Sequence, residues 1–298
     1  MLNPETEEFR KKLAKEVAEA AAQRGKEEIP EPRQSTFRAR MQAKAVEDKL
    51  AEHGPGLTTS PIKITDELEF RSLLEGLAQD IVDAHIHWNM WKSLTDLVPQ
   101  WADVQVEAPT FWHYTRSAHL RTALASLARA FDQEQRSLHL KNWLVTIGEH
   151  SHLFTVDAFT RRLSDEPFAK WLLEDVKELD MDALLSDIQS CSRYDPDVRA
   201  LFQYRSNVLA HRGAKLAKQG SAAQLPQLDT EQIERLLNRA KTILTHYSLL
   251  FNASAYSMRP VGHDDVEYVF RRMQRDIEHT KQEMEAQAAA LQPKNEEL

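Results

Sequence analysis

The chain has 298 residues, a net charge of −8 and a single cysteine, and these properties exclude several classes of protein. The negative charge argues against a protein that coats DNA through bulk electrostatics, so contact with nucleic acid must come from a local basic patch. The lone Cys191 can form neither an intramolecular disulfide nor a thiolate-rich metal site, which favours a reducing, cytoplasmic setting. No apolar run approaches the roughly 20 residues that span a bilayer. The N-terminus has no signal-peptide core, and no membrane association is expected.

Composition and periodicity predict an all-α protein. Only 8 residues are glycine, and strongly helix-forming residue types dominate. Residues 1–60 carry one thin apolar stripe and a second weak helical segment near 35–50, interrupted by prolines and by Gly-Pro-Gly at 54–56. We expect these residues to form an N-terminal extension that is partly helical or mobile. A helical bundle is predicted over residues 66–256.

Apolar residues at spacings of three and four define the helices of this bundle. They are expected near residues 66–98, 110–131, 140–147, 154–163, 167–179, 182–190, 196–211 and 229–256. Four tryptophans at helical spacing are interpreted as core aromatics rather than as base-stacking platforms, namely Trp88, Trp91, Trp101 and Trp112. Pro99 marks the end of the first helix.

The C-terminal residues 264–298 are predicted to contain an amphipathic tail helix. Its apolar residues recur at spacings of four, three, four and seven, as Val266, Phe270, Met273, Ile277 and Met284. This short heptad seam is typical of a coiled-coil-like helix that packs on another helix.

The basic window between Asp197 and Asp229 is the most informative part of the chain. It contains no carboxylate, and it holds five cationic residues, which are Arg199, Arg205, Arg212, Lys215 and Lys218. An arginine and a histidine in such a window can hold a phosphate and move protons on it. We therefore interpret four of these cations as candidates for binding RNA phosphate, namely Arg199, Arg212, Lys215 and Lys218.

The predicted helix over residues 196–211 has recognisable ends. Asp195 suits the N-cap, Pro196 the first helical position, and Gly213 the left-handed residue that follows a helix. On an ideal α-helix Arg205 falls within an apolar arc, where a guanidinium is costly unless it finds an acceptor or lines a cleft. Pairing with a buried carboxylate is the structural alternative to a functional site.

Arg205 and His211 lie about 120° apart on an ideal helix. One subunit therefore cannot present both side chains together without a distorted last turn, whereas two copies packed across this helix can combine them. Asn207 lies four residues before His211 and shares its face, so it could orient the imidazole or bind a phosphate oxygen. The helix C-terminus favours the charged form of His211.

The string Arg-Ser-Asn-Val-Leu-Ala-His-Arg at 205–212 resembles the Arg-x4–6-His signature of the HEPN superfamily, and most closely its AbiU2-type branch. Two upstream stretches, residues 125–132 and 137–144, are similar to the upstream helix pair of that branch. The resemblance covers about residues 66–256. It implies an all-α helical bundle that commonly dimerises at the motif.

The same resemblance implies a metal-independent endoribonuclease of bacterial phage defence, toxin–antitoxin or stress systems. By position, Arg205 would stabilise the phosphorane and His211 would act as acid or base, with Ser206 and Asn207 as the polar residues after the arginine. RNA, a second copy of the chain and an antitoxin or partner protein are the expected partners. Gly213 stands where the nucleotidyl-modified toxins carry a tyrosine, which puts that modification in doubt.

No other motif competes with this one. The histidines have no metal-ligand spacing, and phosphate-loop, dinucleotide and serine-hydrolase motifs are absent, so neither a metal nor a cofactor is expected. Two alternatives stay open, a non-catalytic helical interaction protein and a nucleotide-binding subunit of a larger complex. A structure in which Arg205 is sealed against an acidic side chain would argue against the nuclease.

Overall fold

The computed structural model of the chain describes residues 59–164, 178–209, 218, 228–260, 262 and 265–291. Within these residues the chain forms nine α-helices and no strand, which confirms the all-α prediction. The predicted extension up to residue 58, the helix near 35–50 and most of the helix at 167–179 lie outside the described residues. So do His211, Arg212, Gly213 and Lys215.

The helices follow one another in a simple order. They are α1 (Glu67–Asp96), α2 (Ala102–Glu107), α3 (Pro109–Ala130), α4 (Leu140–Glu149), α5 (Val156–Arg162), α6 (Met181–Ser190), α7 (Pro196–Tyr204), α8 (Thr230–Asn252) and α9 (Asp265–Leu291). A 3-10 turn at Ser151–Phe154 precedes α5, and a π-helical turn at Arg205–Leu209 follows α7. No helix in the described part of the chain is both long and apolar enough to cross a membrane.

Side-chain caps fix where several helices begin. The Asp66 carboxylate accepts from the backbone N–H of Glu69 at 2.9 Å and starts α1. Asp229 and Gln232 form a reciprocal capping box at the start of α8, which satisfies two backbone donors. At its other end α8 stops at a left-handed residue, Ala253, with φ of 55°. The helix therefore ends at Asn252, four residues before the predicted end at residue 256.

The main core lies between α1, α3, α4, α6, α7 and α8. The predicted stripe of α1 is confirmed, because Phe70, Leu77, Ile81, Ala84 and Trp88 are all buried. Phe70 contacts the rings of Trp143, Phe154 and Phe251, and so joins helices that are distant in sequence. The tryptophans are core aromatics as predicted, since Trp88 and Trp112 are buried and Trp101 stacks on Phe270.

A second, smaller core joins the end of α1 and the start of α3 to α2 and α9. Its buried members are Leu94, Val104, Trp112 and Phe270. The sequence analysis missed α2, because this helix has six residues and buries only Val104, too little for a period to be visible. Here α9 packs on its own chain through Val266, Phe270, Met273 and Ile277, as its apolar seam indicates.

The second half of α9 leaves the bundle. Every residue from Glu278 to Ala290 is exposed, and Lys281 makes an outlying ion pair with Asp103 at 3.3 Å. Met284, the last member of the predicted seam, is 57% exposed and packs on no other described helix core. The apolar seam of α9 therefore packs on the chain's own second core up to Ile277, and Met284 beyond it is exposed.

Arg162, the last residue of α5, ties four segments together. Its guanidinium donates to Glu67 Oε1 at 2.6 Å, to the carbonyl of Leu153 at 2.7 Å and to the carbonyl of Phe251. It also lies 3.9 Å from the centre of the Phe251 ring. Only 2% of the Arg162 side chain is exposed, so each of these acceptors depends on it for its partner.

We expect Arg162→Lys to lower the free energy of unfolding by about 3 kcal/mol, because an ammonium cannot replace a planar fork that serves three acceptors. Urea denaturation of the full chain measures this. The control is Arg121→Lys on α3, an exposed position where the same change should cost less than about 0.5 kcal/mol. Equal losses for the two variants would contradict the role assigned to Arg162.

Candidate functional site

The helix that carries the basic window begins as predicted and ends differently. Asp195 caps it, accepting from the backbone N–H groups of Asp197 and Val198 at 3.0 and 3.1 Å, and Pro196 is its first residue. The α-helix stops at Tyr204, and a π-helical turn covers Arg205–Leu209. The prediction of one α-helix over 196–211 is therefore wrong for Arg205–Leu209, and its last two residues lie outside the described part of the chain.

The π turn changes which residues share a face. In a π turn the hydrogen bonds join residues five apart rather than four, so each residue advances less around the axis than in an α-helix. The angle of about 120° between Arg205 and His211 assumed an ideal α-helix and does not apply here. Single π turns within helices frequently occur at functional sites. The sequence indicated that a single subunit could bring Arg205 and His211 together only through a distorted last turn. The π turn at Arg205–Leu209 is such a distortion, at the Arg205 end of that segment.

Arg205 forms an ion pair with Asp132, two residues after the end of α3. Its Nη1 atom lies 2.5 Å from Asp132 Oδ1. The Asp132 side chain is 8% exposed, whereas that of Arg205 is 33% exposed. The same carboxylate oxygen also accepts from the backbone N–H of Gln133 at 2.7 Å. The pair therefore fixes the end of α3 against the end of α7.

Arg205 is held by this pair without being sealed by it. The carboxylate partner that the structural alternative required is present. Yet a guanidinium carries five N–H donors in a planar fork, and a third of the side chain still faces solvent. An arginine held at one edge and open at another can still donate to a phosphate oxygen. The acidic partner of Arg205 therefore fits the hypothesis of an interaction protein, and the exposed edge of its guanidinium fits the hypothesis of an RNA-cleaving site.

His139 lies near the same carboxylate and caps α4. Its Nδ1 atom accepts from the backbone N–H of Asn142 at 3.3 Å, and the Asn142 side chain accepts from the His139 backbone N–H in return. The residue is fully buried. Burial lowers the pKa of His139 to about 4, although the nearby Asp132 charge opposes that shift. The ring is therefore neutral near pH 7 and serves as an acceptor.

The other sequence-predicted site residues are not all brought together. Ser206 is partly buried in the π turn. Asn207 donates from its side-chain amide to the carbonyl of Gln203 at 2.8 Å, so its amide is turned back onto its own helix. Arg199 and Lys218 are exposed. His211, Arg212 and Lys215 lie outside the described residues, and their predicted roles stay predictions.

Sequence reasoning missed Asp132 as a member of the site. The residue stands at the end of the upstream stretch 125–132 that resembles the AbiU2-type branch, but no role was assigned to it. Its partner lies 73 positions away, so no local period could reveal the pair. The sequence did hold one signal. Asp132 directly follows an apolar helical stripe, and an acidic residue buried at such a place needs a cationic partner.

The histidines elsewhere in the bundle form pairs rather than metal clusters. His87 and His119 face each other across α1 and α3, with 2.8 Å between their Nδ1 atoms. Burial first, and His87 second, lowers the pKa of His119. His85 hydrogen-bonds the carbonyl of Leu237. The described residues include no group of three or more His, Cys, Asp or Glu that could hold a metal ion.

Comparison with known families identifies the fold that carries this site. The AbiU2 family model, of the HEPN type, matches residues 67–271, from the start of α1 into α9. The chain belongs to the AbiU2 family. The match includes both Asp132 and the Arg205 turn, and it runs past residue 256 into the part of α9 that packs on the second core. None of the curated proteins and none of the solved structures compared with the chain matches it.

The ion pair predicts energetic coupling between Asp132 and Arg205. We expect Asp132→Asn and Arg205→Gln to be non-additive by about 1–2 kcal/mol in a double-mutant cycle, since each change removes the same contact. Denaturation of both single variants and the double variant measures this coupling. Additivity within about 0.5 kcal/mol would show that the contact contributes nothing to folding.

His139 predicts a loss of stability in acid. Its pKa is lowered from 6.5 to about 4 in the folded protein, so between these values the unfolded chain binds a proton that the folded chain does not. The free energy of unfolding should therefore fall as pH decreases through this window, with a slope of about 1.4 kcal/mol per pH unit from this residue. Burial also lowers the pKa of His85, His119 and His152, which add to the same slope.

The variant His139→Asn tests this, because asparagine keeps an acceptor for the N-cap and cannot titrate. Urea denaturation at pH 7 and pH 5 should give a smaller pH dependence than in the unaltered chain, whatever the absolute stability. His113→Asn, at an exposed position, is the matched control. A pH dependence that is the same in the two variants would be inconsistent with the assignment.

Proposed function

We propose that this AbiU2-family chain is an RNA-directed effector of bacterial phage defence, toxin–antitoxin or stress systems, and that it cleaves RNA without a metal ion. The observation that carries the proposal is the Arg205 guanidinium, held against Asp132 at 2.5 Å while a third of its side chain remains exposed. Family membership supports the same conclusion, because the match spans the residues of the Arg-x5-His motif. Abortive infection is the defence role that this branch suggests.

The proposed reaction is an internal transfer within RNA. The 2′-oxygen of one ribose attacks the adjacent phosphorus, and the bond from phosphorus to the 5′-oxygen of the next nucleotide breaks. A base removes the 2′-hydroxyl proton and an acid protonates the leaving 5′-oxygen, which gives a 2′,3′-cyclic phosphate and a 5′-hydroxyl. His211 is proposed to carry one or both proton transfers.

Arg205 is proposed to stabilise the charge of the five-coordinate phosphorane. A guanidinium that is already oriented by Asp132 needs little rearrangement when this charge develops, which is the condition under which such donors are most effective. Ser206 and Asn207 are proposed to line the same site. A homodimer that places two motifs in one cleft is part of the proposal, as is an antitoxin or other partner protein that restrains the activity.

A non-catalytic interaction protein is the second candidate. Two observations favour it, the acidic partner of Arg205 and the exposed half of α9 from Glu278 to Ala290. In this case Arg205 acts only in folding, and α9 recruits a partner. Such a protein neither binds nor cleaves RNA, so the same experiment separates the two candidates.

The test is cleavage of single-stranded RNA by the purified full-length chain with EDTA present. We expect products with cyclic phosphate and 5′-hydroxyl ends, the latter accepting phosphate from a polynucleotide kinase without prior dephosphorylation. Arg205→Ala and His211→Ala should each lower kcat by about 100-fold or more, since each removes a group that acts in the transition state.

The matched controls are Arg121→Ala and His113→Ala, which remove the same residue types from exposed positions on α3. Both should retain the activity of the unaltered chain, and thermal melting should show that all four variants fold. Cleavage that depends on a metal ion, or that survives both motif changes, would exclude the proposed mechanism. Expression in cells should be more toxic for the unaltered chain than for either motif variant.

A further inference from the structure

The turn that joins α6 to α7 is rigidly built although it lies at the surface. Ser192 is buried, and its Oγ donates to the carbonyl of Gln189 at 2.7 Å and accepts from the backbone N–H of Tyr194 at 3.3 Å. The backbone N–H of Asp195 donates to the Ser192 carbonyl at 3.1 Å. Between these anchors Arg193 and Tyr194 are exposed. The turn therefore presents two large side chains outward from a fixed backbone.

This turn lies beside the Arg205 site. The Gln133 side chain donates to the carbonyl of Cys191 at 2.9 Å and to that of Phe131 at 3.0 Å. Gln133 directly follows Asp132, the partner of Arg205. One amide thus bridges the start of the turn and the segment that holds the site arginine.

Arg193 is fixed over the same helix that carries Arg205. Its guanidinium carbon lies 4.0 Å from the centre of the Phe202 ring. Phe202 stands three residues before Arg205, a separation at which side chains on a helix are neighbours. The Phe202 ring orients one guanidinium, and Asp132 orients the other one turn further along the same segment.

Arg193 differs from its neighbours in having no acidic partner among the described residues. Arg129, Arg235 and Arg239 each pair with a carboxylate, whereas Arg193 stacks on an aromatic face. A guanidinium stacked in this way keeps the N–H groups at its edge available for a planar or bidentate acceptor.

A second cation lies close to Arg193. Lys141 is buried at the start of α4, and its pKa is lowered by burial first and by the charge of Arg193 second. The effect of Arg193 on the pKa of Lys141 shows that the charge of Arg193 reaches the start of α4.

We propose that Arg193, stacked on Phe202, is an RNA-binding residue that holds the phosphate of a nucleotide next to the one at Arg205. The proposal rests on the proposed function, and it adds a subsite outside the basic window, where all the sequence-predicted phosphate ligands lie. In this proposal Arg193 contributes to RNA binding, whereas Arg205 acts on the phosphate that reacts. Tyr194, 57% exposed beside Arg193, is positioned to contact the ribose or base of the same nucleotide.

The test measures the affinity of full-length His211→Ala protein for a short single-stranded RNA of mixed sequence, as a function of salt. Adding Arg193→Ala should weaken binding roughly tenfold and lower the slope of log affinity against log salt by about 0.7, the effect of one lost phosphate contact to a single strand. Arg193→Lys should restore the slope. Phe202→Leu should weaken binding a few-fold and leave the slope unchanged, because it removes the stacking surface and no charge.

Arg275→Ala on α9 is the matched control, since it removes an exposed arginine from another part of the molecule and should not change affinity or slope. In the otherwise unaltered chain, Arg193→Ala should raise KM and leave kcat within about twofold, as expected for a group that contributes uniform binding. If RNA binds and Arg193→Ala equals Arg275→Ala, the subsite is wrong and the proposed function stands. If the parent protein binds no RNA, both are overturned.

Discussion

The ion pair between Arg205 and Asp132 is the constraint on which the arrangement of the site depends. Asp132 is almost fully buried, and a buried carboxylate without a partner is strongly destabilising. Arg205 lies in a helix face that is otherwise apolar, where its own charge also needs an acceptor. Each residue offsets the cost of burying the other's charge, so the ends of α3 and α7 must lie in contact. The turn before α7 is drawn to the same place, because the Gln133 side chain joins it to the end of α3.

The local charge balance differs from that of the whole chain. The protein carries a net charge of −8, but two arginines lie at this end of the bundle, Arg205 against Asp132 and Arg193 against the Phe202 ring. Screening limits the reach of distant surface charges to about 8–10 Å at physiological salt, so the groups near the site decide what it attracts. The proposed binding of RNA phosphate depends on these nearby arginines, because bulk electrostatics alone would repel RNA.

Much of the fold was predictable because the long helices bury continuous stripes. Phe70, Ile81 and Trp88 in α1 are buried at helical spacing, and Asp195 and Asp229 are caps that read directly from the sequence. The rest depends on contacts that no local pattern encodes. The π turn at Arg205–Leu209 has no period of its own, α2 is too short to show one, and the partners Asp132 and Phe202 are recognised only once the helices are packed. The sequence therefore predicts which residue types form the motif, but it does not predict how their side chains are oriented.

The two arginines are oriented by different kinds of partner, and in the proposed reaction this difference suits different tasks. Asp132 neutralises much of the charge of Arg205 while it fixes the guanidinium in place. It therefore weakens ground-state attraction to phosphate and reduces the reorganisation needed when extra negative charge develops on the phosphorane. The Phe202 ring orients Arg193 without neutralising it, so that residue keeps its full attraction for a phosphate whose charge does not change during the reaction. The arginine at the reacting phosphate thus has a carboxylate partner, and the arginine at the neighbouring phosphate has an aromatic one. In the proposed reaction this arrangement favours the transition state over tight binding of the substrate alone.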